Sequence, residues 1–311
     1  MNKKIVFSIF LAFIISFSIF IIFQYNNWNS LGPLQEDFFN KNIKNSKSTI
    51  LLLGASDVGM LNVTRIQSSI TEKYENYEVF NLAISGDKPS KRLRQIDEII
   101  LFQPKIILYG IGLRDLSSEN YLFNDYLPNP SIYVSNFFWL ISPPFFDNPK
   151  LVTLNFLKDL INYRNEIANF EEHTPFFHYK PEYDSVTNLE ELEKMYNDDN
   201  QLHIPKFDNN KEFKSLKFLL EKFSENDIKI ILVITPHNSY YTNSISQTDK
   251  ENFYHQIDIL KSNSNVDVFS LMNNYSKMNI WLSENHISHG PEGKIYDENI
   301  SEIISQILKN K

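Results

Sequence analysis

One serine stands where a chain can raise a hydroxyl for chemistry. Ser48-Thr49-Ile50-Leu51-Leu52-Leu53 is an apolar run, long enough for a buried strand and too short for a helix. The small pair Gly54-Ala55 turns the chain, Ser56 and Asp57 follow, and Met60 to Tyr74 carries apolar residues at helical spacing (Leu61, Ile66, Ile70, Tyr74). Strand, tight turn, serine, helix lifts a side chain above a parallel sheet beside backbone amides that favour negative charge. A nucleophilic serine needs such surroundings, because its transition state develops an oxyanion. The competing reading is that Ser56 and Asp57 only cap the helix that follows, a place both residue types favour.

The elements that must position this serine can be read downstream. Further strands are expected at residues 78–84, 105–109 and 229–234, with a weaker one at 266–269. Helical patterns separate them at residues 91–101, 213–224 and 251–261. A last helix is expected from about Pro291 to Leu308, with Ile295, Ile300, Ile303, Ile304 and Ile307 on one side. Apolar strands alternating with amphipathic helices imply a parallel sheet covered on both faces. Residues 116–209 break the rhythm, with aromatic segments (Asn136 to Trp139, Pro143 to Phe146, Pro175 to Tyr179), a helix near 151–169 and an acidic helix near 188–196. A stretch of that length is expected to be an inserted cap rather than a bare loop. Its aromatic residues either fill the cap's own core or line a groove.

Composition narrows the class. The chain has 311 residues, a formal net charge of −8 and no cysteine, which excludes disulfides and thiolate metal sites and disfavours a nucleic-acid partner. Met1-Asn2-Lys3-Lys4 precedes Ile5 to Phe23, which carries no charge. As a helix this span measures roughly 28 Å, close to the thickness of a hydrocarbon core. Lys3 and Lys4 place the N-terminus in the cytoplasm and the rest outside. A cleaved signal peptide is the rival, but no small-x-small site follows Phe23. The expected plan is an anchor over residues 1–24, a polar tether over 25–47, and a domain over 48–311 with its insertion.

Four short blocks in this order resemble the SGNH (GDSL-like) hydrolase superfamily, whose fold is a flavodoxin-like, doubly wound parallel sheet. Gly54-Ala55-Ser56-Asp57 is similar to block I, and Asn81-Leu82-Ala83-Ile84-Ser85-Gly86 to block II. Gly112-Leu113-Arg114-Asp115 stands where block III reads Gly-x-Asn-Asp, and Ser283-Glu284-Asn285-His286 where block V reads Asp-x-x-His. The resemblance implies Ser56 as nucleophile, His286 as base with His289 as the alternative, and an oxyanion hole from Ser56, Gly86 and Arg114. The acid expected before the histidine is replaced by Ser283, so Glu284, the nearest carboxylate, is expected to orient the ring. Arg114 has two further readings, as a clamp for an anionic ligand or as one half of an ion pair with Asp115 or Asp57. Asp57, Asp115 and His237, which follows Pro236 at the end of the fourth strand, are expected to touch substrate. No metal or cofactor is expected, since the other histidines show no ligand spacing.

The resemblance implies an extracytoplasmic, single-pass serine esterase or O-acyltransferase acting on an acylated cell-envelope glycan through an acyl-serine. A multi-spanning acyltransferase of the membrane is the expected partner. The alternative is a non-catalytic binding or assembly protein that keeps the fold.

Overall fold

The computed structural model describes residues 38–39, 48–118, 173–177, 179–195, 202–262 and 265–309. The expected anchor at 5–23, the aromatic segments at 136–146, the helix near 151–169 and His178 lie outside the described residues. Among the described residues, no helix is long and apolar enough to cross a membrane.

Five strands build one sheet: β1 (Ser48–Leu53), β2 (Tyr77–Asn81), β3 (Ile106–Ile111), β4 (Lys229–Ile234) and β5 (Val266–Ser270). Their order is β2-β1-β3-β4-β5, and every pairing is parallel. That order is the flavodoxin-like one, with its reversal of winding between β1 and β3. β2 ends at Asn81, earlier than expected. Leu82, Ala83 and Ile84 run on as loop, though Leu82 N and Ile84 N still donate to Leu52 O and Gly54 O.

Side-chain alternation along the strands creates two cores. Leu51, Leu53, Ile107, Tyr109, Ile230 and Leu232 face one side, under α3 (Pro89–Arg92), α4 (Ile96–Phe102), α6 (Lys211–Glu225) and α8 (Gln247–Lys261). Ile50, Leu52, Ile106, Leu108, Ile231 and Val233 face the other, under α2 (Val63–Thr71) and α9 (Lys294–Lys309). Among the described residues, the remaining α-helices are α1 (Ser56–Gly59), α5 (Leu189–Met195) and α7 (Ser239–Ser244).

Two sequence expectations change. The helix read as Met60 to Tyr74 is shorter, α2 over Val63–Thr71, because Asn62 caps it: its side chain accepts from Arg65 N at 3.1 Å. The stretch read as a tether contains Phe38 and Phe39, both buried against Phe80, Phe102 and Phe176. Adjacent phenylalanines carry too much apolar surface to be left in water when a pocket of rings is within reach. Phe176 and Phe177, at the described edge of the cap region, are likewise buried, which for these two favours core over groove.

Candidate active site

The site forms at the carboxyl ends of the strands, beginning with the turn after β1. Gly54 has φ +147°, and a Cβ there would stand 2.6 Å from Val58 and 2.9 Å from Gly110 O, so only glycine lets the turn lie this close to β3. Ala55 is the residue that caps α1, and its carbonyl accepts from Val58 N and Gly59 N. Ser56 is therefore the first residue of α1 rather than its cap, and its hydroxyl is spent on no helix amide.

Ser56 Oγ lies 2.7 Å from His286 Nε2. The two residues are 230 positions apart, and the loop carrying His286 is pinned on several sides. Trp281 and Ile287 form an antiparallel bridge, Leu282 N donates to His286 O, and Asn238 N donates to Glu284 O. Below the loop, Arg65 of α2 donates to the carbonyls of His289 and Gly290 and to Asp297 of α9. Burial lowers the His286 pKa from its ordinary value; the negative charges of Glu284 and Asp57 oppose that shift, and Arg114 adds to it. The imidazole therefore holds its neutral, proton-accepting form to lower pH than a free histidine.

The ring's other nitrogen, Nδ1, lies 2.9 Å from Ser283 Oγ. This corrects the role read for Glu284. Its carboxylate pairs with Arg114 Nη1, and the guanidinium also sits 5.2 Å over the Tyr241 ring. The cation expected at the oxyanion and the carboxylate expected behind the imidazole are thus bound to each other. A full charge at that depth is best satisfied by an opposite one within reach.

His289 is turned elsewhere: Nδ1 lies 3.3 Å from Asp184 Oδ1, and the ring packs on Tyr179. Asp57, Asp115 and His237, expected to touch substrate, lie buried beside the site, with relative exposures of 2 %, 7 % and 1 %. Each spends a polar atom on backbone. Asp57 Oδ1 accepts from Val58 N, Asp115 Oδ2 accepts from Gly112 N at 2.6 Å, and His237 Nδ1 faces Thr235 O at 3.0 Å. Burial pushes the Asp115 carboxyl well up, helped by the negative charge of Asp57, and brings His237 down to about 4.

Gly86 has φ +66° and heads a loop that sequence reasoning underrated. Asp87, next to it, pairs with Arg92, whose side chain is fully buried; Arg92 Nε donates to Asp87 Oδ2 at 2.8 Å. The same guanidinium donates to Gln95 and reaches Gly54 O at 3.4 Å, tying the glycine loop to the serine turn. An arginine in a helical stretch carries no signal of such a role. Among the described residues, the backbone amides of Ser56 and Gly86 donate to no acceptor.

A parallel sheet of this order, with a serine after its first strand and a histidine ahead of its last helix, is the arrangement that the resemblance to the SGNH (GDSL-like) hydrolases implied. Residues 174–289 match the model of the family described as DltD protein, a stretch that includes His286 but not Ser56 and spans less than half the chain. Solved structures similar to this chain include an acetyl xylan esterase (AlAXEase), 11 % identical, over 84 % of this chain and 99 % of that one, with a TM-score of 0.44. A putative acylhydrolase from Bacteroides fragilis is 11 % identical over 88 % and 96 % of the two chains, TM-score 0.42. A catalytic mutant of an acetylxylan esterase from Geobacillus stearothermophilus is 12 % identical over 83 % and 94 %, TM-score 0.42. No curated protein matches the chain.

Proposed function

We propose that this chain is a serine esterase or O-acyltransferase that works through an acyl-Ser56 intermediate. The observation that carries the reading is the 2.7 Å approach of His286 Nε2 to Ser56 Oγ at the end of β1. His286 takes the hydroxyl proton as Oγ adds to the ester carbonyl carbon. The amides of Ser56 and Gly86, which have no acceptor among the described residues, are the donors for the oxyanion. Collapse expels the alcohol, which receives the proton from the imidazolium. In the second half His286 deprotonates water or a sugar hydroxyl as that oxygen adds to the acyl carbon; the bond to Ser56 Oγ then breaks, and Oγ takes the proton back from the imidazolium. The acylated envelope glycan, the anchor at residues 5–23, the extracytoplasmic placement and a multi-spanning acyltransferase partner belong to this proposal. They are supported by the uncharged N-terminal span behind two lysines and by the superfamily resemblance.

A second reading, a binding or assembly protein on the same fold, is favoured by the Arg114–Glu284 pair standing where two parts of the usual machinery are expected. A fluorophosphonate probe separates the two. The full chain should be labelled at Ser56, with labelling abolished in Ser56→Ala and His286→Ala and mostly retained in His289→Ala. A folded wild type that takes no label supports the binding protein instead. Protease added to spheroplasts should remove residues 48–311, and full protection of them would sink the proposed topology.

A further inference from the structure

His286 uses both ring nitrogens, Nε2 toward Ser56 Oγ at 2.7 Å and Nδ1 toward Ser283 Oγ at 2.9 Å. The second contact is set by backbone rather than by a free rotamer. Leu282 N donates to His286 O at 2.8 Å and Ser283 N to the same carbonyl at 3.3 Å, which closes the turn between the two side chains. Asn238, at the start of α7, holds the turn from outside, with Nδ2 3.3 Å from Ser283 O. Glu284, the carboxylate nearest in sequence, is engaged by Arg114.

We propose that Ser283 is the positioning residue for His286, so that a neutral hydroxyl does the work a carboxylate does in a Ser–His–acid relay. This rests on the esterase reading of the Ser56–His286 pair.

The chemistry differs from that of a carboxylate in two ways. For Nε2 to receive the Ser56 proton, Nδ1 must carry the ring hydrogen and Ser283 Oγ must accept it. A carboxylate can only accept, and so enforces that tautomer; a hydroxyl also donates. When Ser283 donates, the hydrogen moves to Nε2 and the base has no lone pair for Ser56. The population of working enzyme therefore depends on which way one hydroxyl points. Second, the imidazolium formed during attack meets a dipole at Nδ1 instead of a full negative charge. The charges that face it are Glu284 and Asp57, which favour the protonated ring, and Arg114, which opposes it; burial opposes it as well. The relay is thus a weaker base whose neutral form persists further into acid.

Three substitutions in the full chain test this, read by the rate of fluorophosphonate labelling against pH and by the titration of His286 in ¹³C-histidine NMR, with His286→Gln to assign the signal. Ser283→Ala should label about 10- to 100-fold more slowly, the effect of losing one hydrogen bond to a charged group. Ser283→Thr, which keeps the hydroxyl, should stay within a few-fold of wild type. Ser283→Asp should raise the His286 pKa by about 1 to 3 and move the acid limb of labelling upward with it. Wild-type rate and pH limb in a folded Ser283→Ala would overturn the proposal, as would an unmoved His286 titration in Ser283→Asp. If Ser283→Asp does not fold, the Ala and Thr rates decide. If wild type takes no label, the esterase reading fails on that result alone. The Ser283 contact is then judged by the titration, upheld by an upward shift in Ser283→Asp and refuted by none.

Discussion

Removing the buried arginine beneath the glycine loop gives a prediction whose size follows from the structure. The Arg92 side chain has no exposure and that of Asp87 has 4 %. In Arg92→Met the stem is replaced by a chain of similar length, but the Asp87 carboxylate loses its cation. Burial already pushes the Asp87 pKa up against the pull of Arg92, so without Arg92 the charge has little left to hold it. Breaking a buried pair from one side costs about 3–5 kcal/mol. At about 2–4 °C per kcal/mol for a domain of this size, the melting temperature should fall by roughly 6–20 °C. The double variant Arg92→Met/Asp87→Asn should recover much of that loss, because no buried charge is then stranded. Circular dichroism melts measure the stability. Labelling of Ser56 at a temperature where all variants are folded reads the second effect: because Arg92 links Asp87 to Gly54 O, loosening it should slow labelling even in the recovered double variant. A single variant melting within about 2 °C of wild type, or a double no better than the single, would refute the argument.

Two further outcomes are expected. A Cβ at Gly59 would stand 2.3 Å from the Phe177 ring, so Gly59→Ala should cost about 1–3 kcal/mol by overpacking, and Phe177→Leu in the same chain should return part of it; equal losses in single and double variants would be the wrong result. Asp297 has its pKa raised from 3.8 to about 6, chiefly by burial. Its contribution to stability is therefore complete below about 4 and lost as pH rises through about 6. Melts of Asp297→Asn should gain on wild type between those values, and a constant difference would show that another group titrates there.

The sequence by itself determined the sheet. Apolar runs such as Ile230 to Ile234 and the one-sided isoleucines of α9 are local patterns, and the five strands and the helices read at residues 213–224, 251–261 and 291–308 lie close to where their patterns put them. It also marked Ser56, because a glycine turn after a buried strand is a local feature, but cap and nucleophile stayed rival readings until the fold made Ala55 the cap. Which side chain meets which was decided only by tertiary structure. His286 and His289 are equivalent as letters in one loop, yet the bridge between Trp281 and Ile287 directs one to the serine and leaves the other on Asp184. Glu284 looked like the available acid until folding set Arg114, 170 residues earlier by number (284 − 114), within reach of it. Ser283 was visible only as a departure from an expected acid. A hydroxyl says nothing of its partner until the turn that carries it closes on the imidazole. The two phenylalanines at 38 and 39 read as part of a polar stretch because their partners, Phe80, Phe102 and Phe176, come from three distant segments. Backbone pattern is written in neighbours along the chain, whereas charge pairing and hydrogen-bond direction depend on neighbours in space.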